Sequence, residues 1–163
     1  MATQIGKSLD TLDLRLLGLL QANALLTADQ LAESLPLSAS AIARRVRRLR
    51  ESGAIAAEVA VVSDAIGGFL SALIHVQLDR HALDQIAALR RRLTASANVQ
   101  LHLEVSGTFD LVLLVTVADM DSFNEFTDTM LAGDRVVRRY ETSFVKRRRK
   151  FSAALPLDQL IRR

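Results

Sequence analysis

The apolar residues of this chain change their spacing once, around Gly67 and Gly68, and that change divides it. Before it, apolar positions recur three and four apart, as one face of a helix requires. After it, strand-like and helix-like runs alternate, and the pattern strand, helix, strand occurs twice. Phe69 to Leu78 alternates, with Leu70, Ala72, Ile74, Val76 and Leu78 on one face. Ala82 to Ala95 has helical spacing at Leu83, Ile86, Leu89 and Leu93. Val99 to Val105 alternates again, which predicts Leu101 and Leu103 inward and Gln100, His102 and Glu104 outward. Ser106 to Asp110 is a turn, and Leu111 to Val117 is an unbroken apolar run suited to a central strand. Asp119 caps a helix through Phe123, Phe126, Met130 and Leu131, Gly133 stops it, and Val136 to about Phe151 reads as the last strand. Two βαβ halves with their helices on one face give an α+β, ferredoxin-like βαββαβ sandwich over residues 69–163. Phe69 and Leu73 fall on the other face, which needs a cover, and a second copy of the chain is the simplest one.

Residues 1–62 read as three helices and a short hairpin. Asp10 precedes Leu14, Leu16, Leu17, Leu19 and Leu20, with Asp13 in the first turn, where an acid suits a helix N-terminus. Thr27 caps a second helix carrying Leu31 and Leu35, which Pro36 ends. Ser38 caps a third, running to about Ser52 with Gly53 as its stop. Ala54 to Val62 has β-branched residues without helix caps and fits a two-stranded wing. Ser63 to Gly68 is then a hinge between two domains.

Composition narrows the function. There is no Cys, hence no disulfide framework, thiolate metal site or Cys nucleophile. No apolar run reaches the roughly 18 residues of a membrane-spanning helix, and the start, MATQIGKSLDTLD, has no signal-peptide stretch. A cytoplasmic protein without membrane attachment is the expectation. Lys plus Arg is 21 against 18 Asp plus Glu, a net charge of only +3, so an anionic partner must be met by local clusters.

The densest local signal for such a partner is SASAIARRVRRLRESG, Ser38 to Gly53. At roughly 100° per residue, Ile42, Val46 and Leu49 form the buried stripe, and Ser40, Arg44, Arg47, Arg48 and Glu51 lie opposite. Arg45 falls on the flank, within reach of an acid on a neighbouring helix. As the third helix of a trihelical unit, with Ser38, Ser40 and Ala41 in its first turn, this segment fits a duplex major groove. The small residues approach base edges while Arg44, Arg45, Arg47 and Arg48 take phosphates or guanine edges. Against this stands the plain reading of a solvated charged face. The nearly uniform sign, the use of Arg over Lys and the third-helix position favour double-stranded DNA.

Over Leu9 to Leu157 the chain resembles the Lrp/AsnC (feast/famine) family of transcription regulators. The resemblance rests on Leu9-Asp10-x-x-Asp13-x-x-Leu16-Leu17, on Leu37-Ser38-x-Ser40, and on Arg44-Arg45-Val46-x-Arg48-Leu49-x-x-x-Gly53-x-Ile55. It continues with Ile66-Gly67, Gly107-x-x-Asp110, Val117-x-Asp119-Met120, Thr142-Ser143 and Leu155-Pro156-Leu157. It implies a winged helix-turn-helix that binds imperfect palindromes, joined to a domain that dimerises, assembles further and senses a small molecule, usually an amino acid. It implies an effector site near Gly107, Thr108, Asp110, Asp119, Met120, Thr142 and Ser143, where an acid takes an ammonium and backbone amides take a carboxylate. A nucleoid-associated location goes with it, and no cofactor or metal does. Three positions depart from the family pattern: Pro36 where a Gly usually precedes Leu-Ser, Leu25 in place of an Arg, and Thr108 in place of an acid.

Plainer readings stand beside these. Asp110 and Asp119 suit a turn and a helix cap, and Met120 suits a core. Lys146 to Lys150, KRRRK, reads as a charged strand end that discourages edge pairing, or as a basic rim for DNA. The histidines are His75, His81 and His102. His75 and His102 are expected on the open sheet face about 10 Å apart, too far for one metal. A DNA-compacting protein without an effector is one alternative. A sirohaem decarboxylase on the same plan is another, but this chain has no Trp, and no histidine is expected near its Gly-x-x-Asp turn.

Overall fold

The computed structural model describes residues 9–79 and 82–161, so His81 lies outside the described residues. They form two compact units. One runs from Leu9 to Val62 and takes in the segment from Phe151 onward; the other is Ser63–Lys150. The last stretch, expected with the second domain, thus belongs to the first unit. The cause is a pair of contacts that the sequence pattern does not reveal: Leu157 packs on the first unit's core, and Gln21 hydrogen-bonds the backbone of Leu155.

The first unit contains α1 (Thr11–Ala22), α2 (Ala28–Ser34), α3 (Ala39–Glu51) and a short α6 (Asp158–Ile161). Its helix starts are those the caps predict. Asp10 and Asp13 form a reciprocal capping box at α1, Thr27 and Gln30 another at α2, and Ser38 Oγ accepts from Ala41 N at 3.3 Å. Leu16, Leu17, Leu31, Leu35, Ile42, Val46 and Leu49 bury together. Pro36 is accommodated without a left-handed residue: Leu37 N donates to Leu35 O at 2.8 Å, a three-residue turn about the proline. Gly53 ends α3 at φ +75°, a conformation that disfavours any other residue type.

The expected wing is not formed. Among the described residues, 54–62 carry no strand, and Val59, Val61 and Val62 are exposed. No turn residue interrupts Ile55 to Val62 to fold it back on itself. The segment is tied instead to α3, through Arg50 to Glu58 at 2.8 and 3.1 Å.

The second unit is the expected α+β sandwich. Its strands β1 (Leu70–Leu78), β2 (Val99–Glu104), β3 (Leu111–Val117) and β4 (Val137–Phe144) lie in the order β2-β3-β1-β4, each antiparallel to its neighbours. The helices α4 (Leu83–Ala95) and α5 (Met120–Thr127), the latter running on as a π-helical turn over Asp128–Ala132, supply Ile86, Leu89, Leu93, Phe123, Phe126 and Leu131. These cover Ala72, Ile74, Val76, Leu111, Leu113 and Val115 on one sheet face.

Two expectations about β2 are overturned by its pairing. Val99 faces Val115, but Leu101 faces Leu114 and His102 faces Leu113, so one extra residue enters at Gln100. Such a bulge reverses every later side chain. Leu101 and Leu103 therefore point away from the helices, 40% and 44% exposed, and join Leu73, Val112 and Leu114 on the open face. His102 turns toward α4, with Nδ1 3.0 Å from Thr94 Oγ1. His75 and His102 thus lie on opposite faces. The last strand also stops early. Val145 N makes one further bond to Ser71 O, and Lys146 to Lys150 follow as exposed coil.

Candidate nucleic-acid interface and ligand groove

The third helix presents the face that the sequence predicts. Ile42, Val46 and Leu49 are buried, Ser38, Ser40, Arg44, Arg47 and Arg48 are exposed, and Ala41 and Arg45 lie between. The arginines then divide by partner. Arg47 stands 3.9 Å from Glu51 across one helical turn, an exposed pair that holds it weakly. Arg44 has no ion-pair partner among the described residues.

Arg45 and Arg48 instead reach back to α1. Arg45 Nη1 is 2.7 Å from both Asp10 Oδ2 and Asp13 Oδ1, and Arg48 Nη2 bonds the other Asp13 oxygen. Asp13 has a side chain only 1% exposed, so both of its oxygens are spent on the third helix, apart from the bond to its own cap. The Asp13 N–H holds the Asp10 carboxyl below its usual range; burial opposes it, and Arg45 adds to the lowering. Bonds to Asp10 and then Asp13 raise Arg45 in turn. Two of the four nominated arginines therefore fix the pitch of α3 against α1, and Arg44 and Arg47 carry the freer charge. Asp13 is the residue this site most depends on. Its place in a capping box was visible in the sequence, but its burial under two arginines was not.

The seven nominated effector residues do not converge within one chain. Gly107, Thr108 and Asp110 line a groove of about 660 Å³ together with Gln77, Leu78, Asp79 and Arg138. Gly107 sits at φ +141°, which frees the turn to bend. Asp110 completes the sheet end: its N–H donates to Val76 O, its carbonyl accepts from Val105 N, and Oδ2 accepts from Leu78 N at 2.9 Å. Asp119 and Met120 lie past the far end of β3, about 20 Å away at strand rise. There Asp119 caps α5 by accepting from Ser122 N at 2.8 Å, which holds its carboxyl below the usual value, and Met120 is half-exposed rather than core. Thr142 pairs with Ile74 and Ser143 with Leu73, on opposite sheet faces. One small ligand could meet both groups only if different subunits supplied them. The groove adds residues that the sequence did not nominate. Arg138 offers a cation to a carboxylate, and Asp79 and Asp110 offer anions to an ammonium. Only the β1–β4 register, Leu78 opposite Val137, brings Arg138 there.

A histidine does stand beside the Gly-x-x-Asp turn. The His75 ring lies 5.4 Å from that of Phe109, which also carries the Arg139 guanidinium at 5.2 Å. A second groove, of about 440 Å³, lies between α4 and β2 and is lined by Arg90, Arg91, Thr94, Ala95, His102 and Glu104. Burial there lowers the His102 imidazole below its usual value, opposed by Glu104 and helped by Arg90. Among the described residues no three metal-ligating side chains cluster, and no helix is long and apolar enough to cross a membrane.

Residues 9–56 match the winged helix-turn-helix DNA-binding family, and residues 71–155 match the Lrp/AsnC ligand binding domain. An HTH-type transcriptional regulator of Sinorhizobium fredii, y4tD, is 32% identical over 92% of this chain and 89% of its own length. The DNA-binding transcriptional activator DecR of Escherichia coli K12 is 26% identical over 92% and 99%. Among solved structures, a transcriptional regulator of Neisseria meningitidis in complex with L-Met superposes with a TM-score of 0.80 at 29% identity, covering 94% of this chain and 99% of its own.

Proposed function

Since the chain belongs to the Lrp/AsnC family of DNA-binding transcriptional regulators, we propose that it binds an imperfect palindrome as a dimer and that a small zwitterion tunes this binding. The observation that carries the DNA half is the outward face of α3, where Arg44 and Arg47 are exposed while Asp13 fixes the helix behind them. Ser38, Ser40 and Ala41 lead into base edges, and Arg44 and Arg47 take phosphates or guanine edges. Arg45 and Arg48 act mainly as positioning residues.

The sensing half rests on the groove at Gly107, Thr108 and Asp110, which Arg138 and Asp79 also line and which has ample room for an amino acid. An α-carboxylate pairs with Arg138 and an α-ammonium with Asp79 and Asp110. Asp119, Met120, Thr142 and Ser143 contribute from a neighbouring subunit in an assembly larger than the dimer. The Neisseria relative's complex with L-Met supports an amino acid as the ligand class. The open sheet face, with Leu73, Leu101, Leu103, Val112 and Leu114, is the dimer surface. Catalysis forms no part of this reading: the relatives' names are those of regulators, and His75 is spent on packing against Phe109. A cytoplasmic location at the nucleoid follows from the same reading.

The test is fluorescence anisotropy of the duplex upstream of the protein's own gene, with each of the twenty amino acids at millimolar concentration. One or a few should shift the affinity about 5- to 150-fold, the usual size of an allosteric coupling. No shift with any of them would remove the sensing half and leave a DNA-binding protein without an amino-acid effector.

A further inference from the structure

Lys146-Arg147-Arg148-Arg149-Lys150 is the densest run of charge in the chain, and the reading of the recognition helix leaves it without a task. A strand end guarded by charge would need strand. Here the sheet finishes at Phe144, Val145 makes the last sheet bond, and all five cations follow as exposed coil. The chain is then caught again at once. Leu155 N donates to Gln21 Oε1 at 2.7 Å, Gln21 Nε2 donates to Leu155 O at 3.1 Å, and the partly buried Leu157 packs against the first unit's core. The five cations therefore sit on a strap with one end held by β4 and the other by the helix-turn-helix unit.

Chain reach limits where that charge can go. Leu155 is five residues past Lys150, at most about 17 Å of extended chain. Gln21 is eight residues along α1 from Asp13, about 12 Å, and Asp13 is the residue that Arg45 and Arg48 hold. Lys150 is thus tethered within roughly 30 Å of Asp13, less than one duplex turn of about 34 Å, and Lys146 within roughly 45 Å.

We propose that Lys146 to Lys150 form a second DNA contact, a phosphate-binding strap that engages the duplex backbone beside the site occupied by α3. The partner is the duplex that the recognition helix binds, so the proposal rests on the DNA-binding reading above. The contact is electrostatic and carries no sequence information. Five neutralised phosphates add about 4.5 to the magnitude of the salt slope, at 0.9 per phosphate.

The experiment compares the full-length protein with a variant in which all five residues are glutamine (K146Q, R147Q, R148Q, R149Q, K150Q). Anisotropy is read on the upstream duplex and on a random duplex between 50 and 300 mM NaCl, with melting temperature and elution volume checking the fold. The expected result is a slope of log affinity against log salt that is less negative by about 4.5 on both duplexes. The ratio of specific to random affinity should stay within threefold, and an all-lysine run (R147K, R148K, R149K) should keep the wild-type slope. If the quintuple variant does not fold, R147Q with R149Q should still reduce the slope by about 2. A slope within one unit of wild type overturns the strap. A loss confined to the upstream duplex also overturns it, because phosphate contacts do not read bases. An unchanged DNA slope with loss of binding to phosphatidylserine vesicles would assign the run to a membrane surface instead. Wild-type protein that binds neither duplex would overturn the DNA reading itself, a result distinct from failure of the strap alone.

Discussion

Replacing Asp13 by Ala should lower the melting temperature of the helix-turn-helix unit by roughly 8–32 °C. Asp13 is fully buried, accepts from the Asp10 N–H as the N3 half of the capping box, and receives Arg45 and Arg48 from α3. Breaking a buried ion pair by removing one partner costs about 3–5 kcal/mol. The arginines left behind are 22% and 54% exposed, so water re-solvates them in part and the charge loss shrinks. With the weakened cap, a total of about 2–4 kcal/mol is expected. In a domain of this size each kcal/mol moves the midpoint by about 4–8 °C. Asp13→Asn, which keeps an acceptor but no charge, should fall between. Far-UV circular dichroism on both variants measures this, and a change below about 3 °C for the alanine variant would show that the two arginines do not depend on Asp13.

A comparable effect on assembly is expected from Leu73→Asp with Leu114→Asp. These residues are direct partners across β1 and β3, and Leu101 lies beyond Leu114 on β2. They occupy the middle of the open apolar face, while the helix-covered face on the other side holds the core. In a two-fold interface each new carboxylate appears twice and opposes its own copy. Light scattering should therefore report a monomer in place of a dimer. Affinity for a palindromic duplex should drop at least about 100-fold, since two linked recognition helices bind with the gain of an intramolecular second contact. Unchanged mass would place the dimer surface elsewhere.

How much of this was legible in the sequence follows from what each feature depends on. Helix starts were legible because a capping box is local: Asp10 with Asp13, Thr27 with Gln30. The strands β1 and β3 were legible because alternation and unbroken apolarity persist through them. The β2 side chains were not, because a bulge at Gln100 depends on the partner strand and leaves no mark on the alternation. The wing expectation relied on β-branched content without a turn to close a hairpin. The return of Leu155 and Leu157 to the first unit is a contact across more than 130 residues, which no periodicity reports.

The candidate sites divide in the same way. The exposed face of α3 follows from a 3.6-residue period, so Arg44 and Arg47 were readable as they stand. The diversion of Arg45 and Arg48 to Asp13 was half-readable, since the flank position of Arg45 pointed toward a neighbouring acid. The groove at Gly107 and Asp110 was nominated by resemblance, but Arg138 and Asp79 enter it only through strand register. Asp119, Met120, Thr142 and Ser143 are separated from it by the length of β3, a distance that sequence order conceals.

The central claim is that the outward face of α3 reads a particular duplex. It is tested most directly by titrating wild-type protein and Arg44→Ala against the upstream duplex and a random duplex at one fixed salt concentration near 150 mM. The wild type should prefer the upstream duplex by at least about 1000-fold. Arg44→Ala should lose about 5- to 150-fold on that duplex, the equivalent of 1–3 kcal/mol, with an unchanged melting temperature and oligomer. Equal wild-type affinity for both duplexes, or upstream binding that survives the loss of Arg44 intact, would contradict it.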